Sequence, residues 1–142
     1  MRYALVLVSL LVGSCSEHSA VPQPDFTQLD SDSVHMAERV FSAMLADARD
    51  AGSPTSVRAI SFDLNDDGTA EVLGYIDSAY ICGGMGSCFF VLDSDRSNRA
   101  VLLNVPGVDR VEILGSNRDG WHDIEFNRET NWRWNGEQYE LN

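Results

Sequence analysis

The chain has 142 residues, 44% of them hydrophobic, and a formal net charge of −12 at pH 7. That length suits a single domain, with apolar content enough for a core and too high for wholesale disorder. The acidic balance argues against nucleic acid or anionic lipid as an electrostatic partner, and all ten basic residues are arginine, which excludes Schiff-base, phosphate-loop and Ser-Lys chemistry.

At the N-terminus, Arg2 precedes an apolar run from Tyr3 to Val12, of signal-peptide length and too short to span a bilayer comfortably. The run ends in Val12-Gly13-Ser14-Cys15, which resembles the lipobox of bacterial lipoproteins. The resemblance implies removal of residues 1–14 and acylation of Cys15, palmitate included, giving a stable membrane anchor. Ser16 stands where an aspartate often retains such proteins in the inner membrane, so the implied address is the outer membrane, facing the periplasm. Residues 15–31 mix Ser, Pro, Gln and acids without apolar periodicity and read as the lipidated cysteine and a flexible tether. A single domain then occupies residues 32–142.

From Asp32 the apolar residues Val34, Ala37, Val40, Phe41, Met44, Leu45 and Ala48 recur at helical spacing. Asp30, Ser31 or Asp32 can cap the start, and Gly52 with Pro54 closes the helix. Beyond residue 56 the period becomes two: Ile60, Phe62 and Leu64, then Val72, Gly74 and Ile76, then a fully apolar strand from Cys88 to Leu92. Val101 to Val105, Val111 with Ile113, Trp121 to Phe126, and Trp132 to Leu141 complete the series. Turn signals at short spacing separate these strands and imply an antiparallel meander. The expected fold is α+β, one N-terminal amphipathic helix packed on an antiparallel β-meander sheet.

The turn after the first strand reads "DLNDDGTAE". Asp63, Asn65, Asp67, Thr69 and Glu71 place oxygen donors at every second position, and Gly68 permits a sharp bend. A hard cation such as calcium takes six to eight oxygens, with the seventh position of such a loop giving its main-chain carbonyl. An EF-hand needs a bidentate glutamate at the twelfth position, which here is Gly74, so the loop is not an EF-hand. The spacing D-x-N-x-D-G-x-x-E is similar to the calcium loops of FG-GAP repeats, although a propeller repeats its loop and this chain has one. Together with "CGGMGSC" and "GWHDI" it also resembles a loose group of exported bacterial proteins of unestablished function. A metal-free Asp-Gly hairpin turn is the competing reading, and a bound calcium would be structural.

Cys82 and Cys88 form the cysteine pair left once Cys15 carries lipid, and an oxidising compartment makes a disulfide the default. Closing that seven-residue loop stabilises by roughly 2 kcal/mol in the chain-entropy treatment. It acts as a staple, or as a rigid recognition loop presenting Met85 with Tyr80, Ile81 and Phe89 nearby. His122, Asp123 and Glu125 in "GWHDIEF" are the residues a small hydrolase would use, with the two carboxylates sharing a strand face. Solvent-facing charge is the commoner explanation. The sequence contains no G-x-S-x-G, H-E-x-x-H or triad order. The expectation is therefore a non-enzymatic, lipid-anchored envelope module that binds or scaffolds a protein partner. The alternatives are a periplasmic inhibitor of a hydrolase and a small hydrolase using Asp123, Glu125 and His122.

Overall fold

A computed structural model describes residues 20–95 and 100–142; the lipobox and Cys15 lie outside the described residues. Helices α1 (Ser31–Val40) and α2 (Ser42–Asp50) lead into strands β1 (Ser56–Phe62) and β2 (Glu71–Asp77). A short helix α3 (Ala79–Cys82) and a 3₁₀ turn (Gly83–Met85) precede β3 (Ser87–Leu92) and β4 (Val101–Pro106). The chain ends with β5 (Val111–Arg118), β6 (Trp121–Phe126), β7 (Thr130–Trp134) and β8 (Tyr139–Leu141).

The strands form two four-stranded antiparallel sheets, ordered β1-β2-β3-β4 and β5-β6-β7-β8. The central strands of the first sheet, β2 and β3, are buried on both faces. Val72, Ile76, Cys88, Phe90 and Leu92 point towards Ala37, Phe41 and Leu45 of the helices. Their strand neighbours Leu73, Tyr75, Phe89 and Val91 point the other way, against Ile113, Ile124, Phe126 and Trp134 of the second sheet. Alternation along a strand therefore serves two cores, and so the run from Cys88 to Leu92 has no polar member. Gly74 is required at the centre of this arrangement. A Cβ there would collide with the Arg58 carbonyl and lie 2.5 Å from the ring of Phe90, which fills the space.

This architecture corrects the expectation of one helix on one meander sheet. The meander divides at Val-Pro-Gly: Pro106 cannot donate to a further ladder, and Gly107 takes φ 73° with its N–H on the Ser87 carbonyl. Val108 then turns into the core, and β5 starts a second sheet that covers the first. The expected single helix is also divided. Phe41 leaves helical geometry (φ −95°, ψ 14°) with its ring 5.1 Å from Phe90, although its N–H still reaches the Ala37 carbonyl. Of the three candidate caps, Asp30 acts, accepting from the Asp32 N–H at 3.1 Å and from the hydroxyl of Ser61 at 2.8 Å. Bonds from Ser33 and Ser61 hold its carboxyl below the usual carboxylate range.

Within the stretch read as tether, residues 20–30 lie on the domain. The Gln23 carboxamide bonds both main-chain groups of Ile113. Phe26 packs edge-on against Tyr75 at 5.0 Å and Phe89 at 6.2 Å. The Asp30 N–H reaches the Ala59 carbonyl of β1 at 3.0 Å. This strap laces the second sheet to the first. Because Phe90 leaves no room beside Gly74, Gly74→Ala should lower stability by about 2 kcal/mol. The measurement is the urea midpoint; an unchanged midpoint would show that both the β1 backbone at Arg58 and the Phe90 ring are free to move aside.

Candidate functional site

The Asp63–Glu71 loop joins β1 to β2, and its acids first serve the backbone. Asp63 accepts from the Gly68 N–H at 2.8 Å, Asn65 from the Asp67 N–H at 3.1 Å, and Asp67 from the Thr69 N–H at 2.7 Å. Short side chains that bond the backbone a few residues on are the reason Asp and Asn build such turns. Two residues enter the left-handed region, Asp66 at φ 56° and Gly68 at φ 86°. Leu64 is wholly buried and pins the loop to the core.

Glu71 differs from the other acids. It begins β2, is 3% exposed, and accepts from the Leu64 N–H at 2.9 Å. Burial pushes its carboxyl up to about 7, the Leu64 N–H opposes that, and the charges of Asp67 and Asp63 push it further. Among the described residues no arginine offsets this. The same residues contain no group of three His, Cys, Asp or Glu side chains gathered closely enough to hold a metal. The donor set is nevertheless the kind a hard cation takes, with carboxylates of Asp63, Asp67 and Glu71, the amide oxygen of Asn65 and the carbonyl of Thr69.

The second sheet clamps this loop. The His122 N–H donates to the Leu64 carbonyl at 3.1 Å, and its ring Nδ1 donates to the Leu114 carbonyl at 2.8 Å. Ring Nε2 lies 2.9 Å from the Asp66 carboxylate. The Tyr139 hydroxyl donates to the His122 carbonyl at 2.8 Å, and burial pushes that phenol far up. Asp66 is thus a loop residue with a role that its sequence position did not reveal. Its partner lies 56 residues away, and the spacing carries no trace of the contact.

His122 and Asp123 point to opposite sides of β6. Asp123 is buried and takes 3.3 Å and 2.7 Å contacts from Arg133 and from the Ser116 hydroxyl. Glu125 follows two residues on and lies opposite Glu112 in the ladder. The three residues considered for hydrolysis therefore do not converge on one cleft, and Asp123 already has a cross-strand ion pair. Cys82 and Cys88 form a disulfide. It braces a knob in which Ser78 caps α3 and its N–H reaches the Gly86 carbonyl at 2.8 Å. Met85 and Tyr80 are 70% and 57% exposed on the knob. Ile81 is half-buried, and Phe89, expected near the presented surface, is fully buried between the sheets. Of the C-terminal aromatics, Trp121 stacks on Trp134 at 4.2 Å, and Trp134 and Tyr139 belong to the core. None of the described helices is long and apolar enough to cross a membrane.

Comparison with protein-family models, with curated proteins and with solved structures finds no match for this chain.

Glu71 gives a pH test. Its folded value lies above the ordinary 4.5, so between about pH 4.5 and 7 the unfolded chain ionises while the folded chain keeps its proton. The contribution of Glu71 to stability then falls across that window, by about 3 kcal/mol at full effect, and levels off above it. In chelator, Glu71→Gln keeps an acceptor for the Leu64 N–H and should lose much less between pH 4.5 and 8. Urea midpoints at four pH values check this; parallel curves for the two proteins would remove the buried charge from the account.

Proposed function

We propose that this chain is a non-catalytic binding module of the bacterial cell envelope. It is anchored by lipid on Cys15 and braced by a structural calcium ion in the Asp63–Glu71 loop. Glu71 carries the calcium reading. A carboxylate buried beside Asp63 and Asp67, with no counter-charge among the described residues, would gain from a divalent cation, which would supply the missing positive charge. Asp63, Asn65, Asp67, Glu71 and the Thr69 carbonyl would hold the ion. With three charged ligands, affinity falls at about 10⁻⁴–10⁻³ M, the range of extracellular modules. The ion would stiffen the loop that His122 and Asp66 join to the second sheet.

The binding reading draws on the braced knob, which presents Tyr80 and Met85 on a disulfide-closed frame at low ordering cost. The same projecting knob fits a periplasmic inhibitor that inserts into a hydrolase. A hydrolase working through Asp123, Glu125 and His122 is less well supported, since Asp123 is taken up by Arg133 and Ser116.

Millimolar calcium should raise the melting temperature of the protein, and Asp67→Ala should abolish the shift. An unchanged wild-type melting curve would sink the calcium reading. For the anchor, palmitate labelling of cells expressing the chain should depend on Cys15, and Cys15→Ser should move the protein from the membrane to the soluble periplasmic fraction. Equal labelling of the two would end the lipoprotein reading.

A further inference from the structure

Strand β5 is an outer strand of the second sheet, so one of its edges faces away from β6. The ladder identifies the residues that use that edge. The Arg110 carbonyl accepts from the Asn127 N–H across the hairpin, whereas Ile113 gives its N–H and carbonyl to Gln23. Orientation alternates along an antiparallel pair, so Arg110 and Glu112 face β6, and Val111 and Ile113 face outwards.

Gln23 docks on this edge as one peptide unit would. Its Oε1 accepts from the Ile113 N–H at 2.9 Å, and its Nε2 donates to the Ile113 carbonyl at 2.8 Å. The same Nε2 reaches the Val21 carbonyl at 3.1 Å. A side-chain amide thus fills one rung where a strand's own main chain would fit. Beside it an open groove of about 490 Å³ runs along β5 from Arg110 to Gly115, with Ala20, Val21 and Gln23 forming the other wall.

We propose that the β5 edge docks an extended segment of a partner protein, a short strand of alternating apolar and basic residues, and that Gln23 occupies the edge until the partner displaces it. On its inner side the added strand would lie against Val111 and Ile113, extending the core between the sheets. On its outer side it meets Glu112, which stands directly opposite Glu125 in the ladder. Arg110 pairs with Glu112 at 2.7 Å, one positive charge on a face where two carboxylates stand opposite each other. A lysine or arginine placed opposite Glu112 supplies the second, and the net charge of −12 steers a basic segment towards the chain. The irregularity between Ile113 and Asn117 ends the regular edge, which limits the docked segment to a few residues.

This inference rests on the binding-module reading and names the partner's chemistry. The test titrates the full chain with a fluorescent peptide of alternating valine and lysine, and with its valine–glutamate counterpart, read by anisotropy. The lysine peptide should bind and the glutamate peptide should not. Gln23→Ala should tighten binding about tenfold by removing the two competing bonds. Gln23→Glu keeps the shape and the acceptor but cannot donate to Ile113, so it should tighten binding too and covers the case in which Gln23→Ala folds poorly. Glu112→Lys should exchange the preference between the peptides. Equal binding of both peptides by the wild type, or no tightening in either Gln23 variant, overturns the proposal. So does a Gln23→Ala chain that self-associates in sedimentation while ignoring the peptide, which assigns the edge to a second copy. Cys15 labelling and the calcium shift are read separately, so failure here is distinguishable from failure of the module reading.

Discussion

The pairing of β2 with β3 is the constraint on which the rest of the structure depends. These strands lie between two apolar layers, so from Val72 to Ile76 and from Cys88 to Leu92 the side chains face either the helices or the second sheet. Phe90 and Phe89 are neighbours in sequence and belong to different cores. The space for Phe90 exists because Gly74 opposite it has no side chain. A one-residue slip in this register would exchange the two cores, which differ in size and shape, so the pairing is tightly specified. The acidic loop at one end of β2 and the disulfide knob at the other inherit their positions from it.

Part of this was legible in the sequence. Period-two alternation and closely spaced turn residues located the strands, and the oxygen pattern singled out the loop. The second layer was legible in principle. A strand as uniformly apolar as Cys88 to Leu92 needs cover on both sides, and one short helix covers only one. The division at Val-Pro-Gly was not legible, because turn residues report that the chain reverses and not which strand it pairs with next. The break at Phe41 was hidden for a related reason, since the apolar period continues through it. In residues 15–31 a lone phenylalanine among polar residues gave no period to read, yet Phe26 packs against Tyr75 and Phe89.

The candidate site shows the same limit. Local bonds within Asp63–Glu71 follow from residue type, as turn chemistry predicts. The partnership of Asp66 with His122 depends on how two sheets stack, and no local signal encodes it. His122 looked like a chemical group beside Asp123 because the two are adjacent in sequence. In a strand, adjacency means opposite faces. One residue braces a loop and the other an ion pair.

The strap also sets how the fold would respond to mechanical load. Tension applied ahead of Ala20 reaches Gln23 on the second sheet first, then Phe26 between strap and first sheet, then Asp30 at the start of α1. These attachments are met one after another, and because Phe26 packs against the core between the sheets, peeling past it would uncover Tyr75 and Phe89. A pull on the N-terminal side would thereby pass through the strap to the core, and the attachment it meets at Gln23 is the one that covers an edge of the sheet.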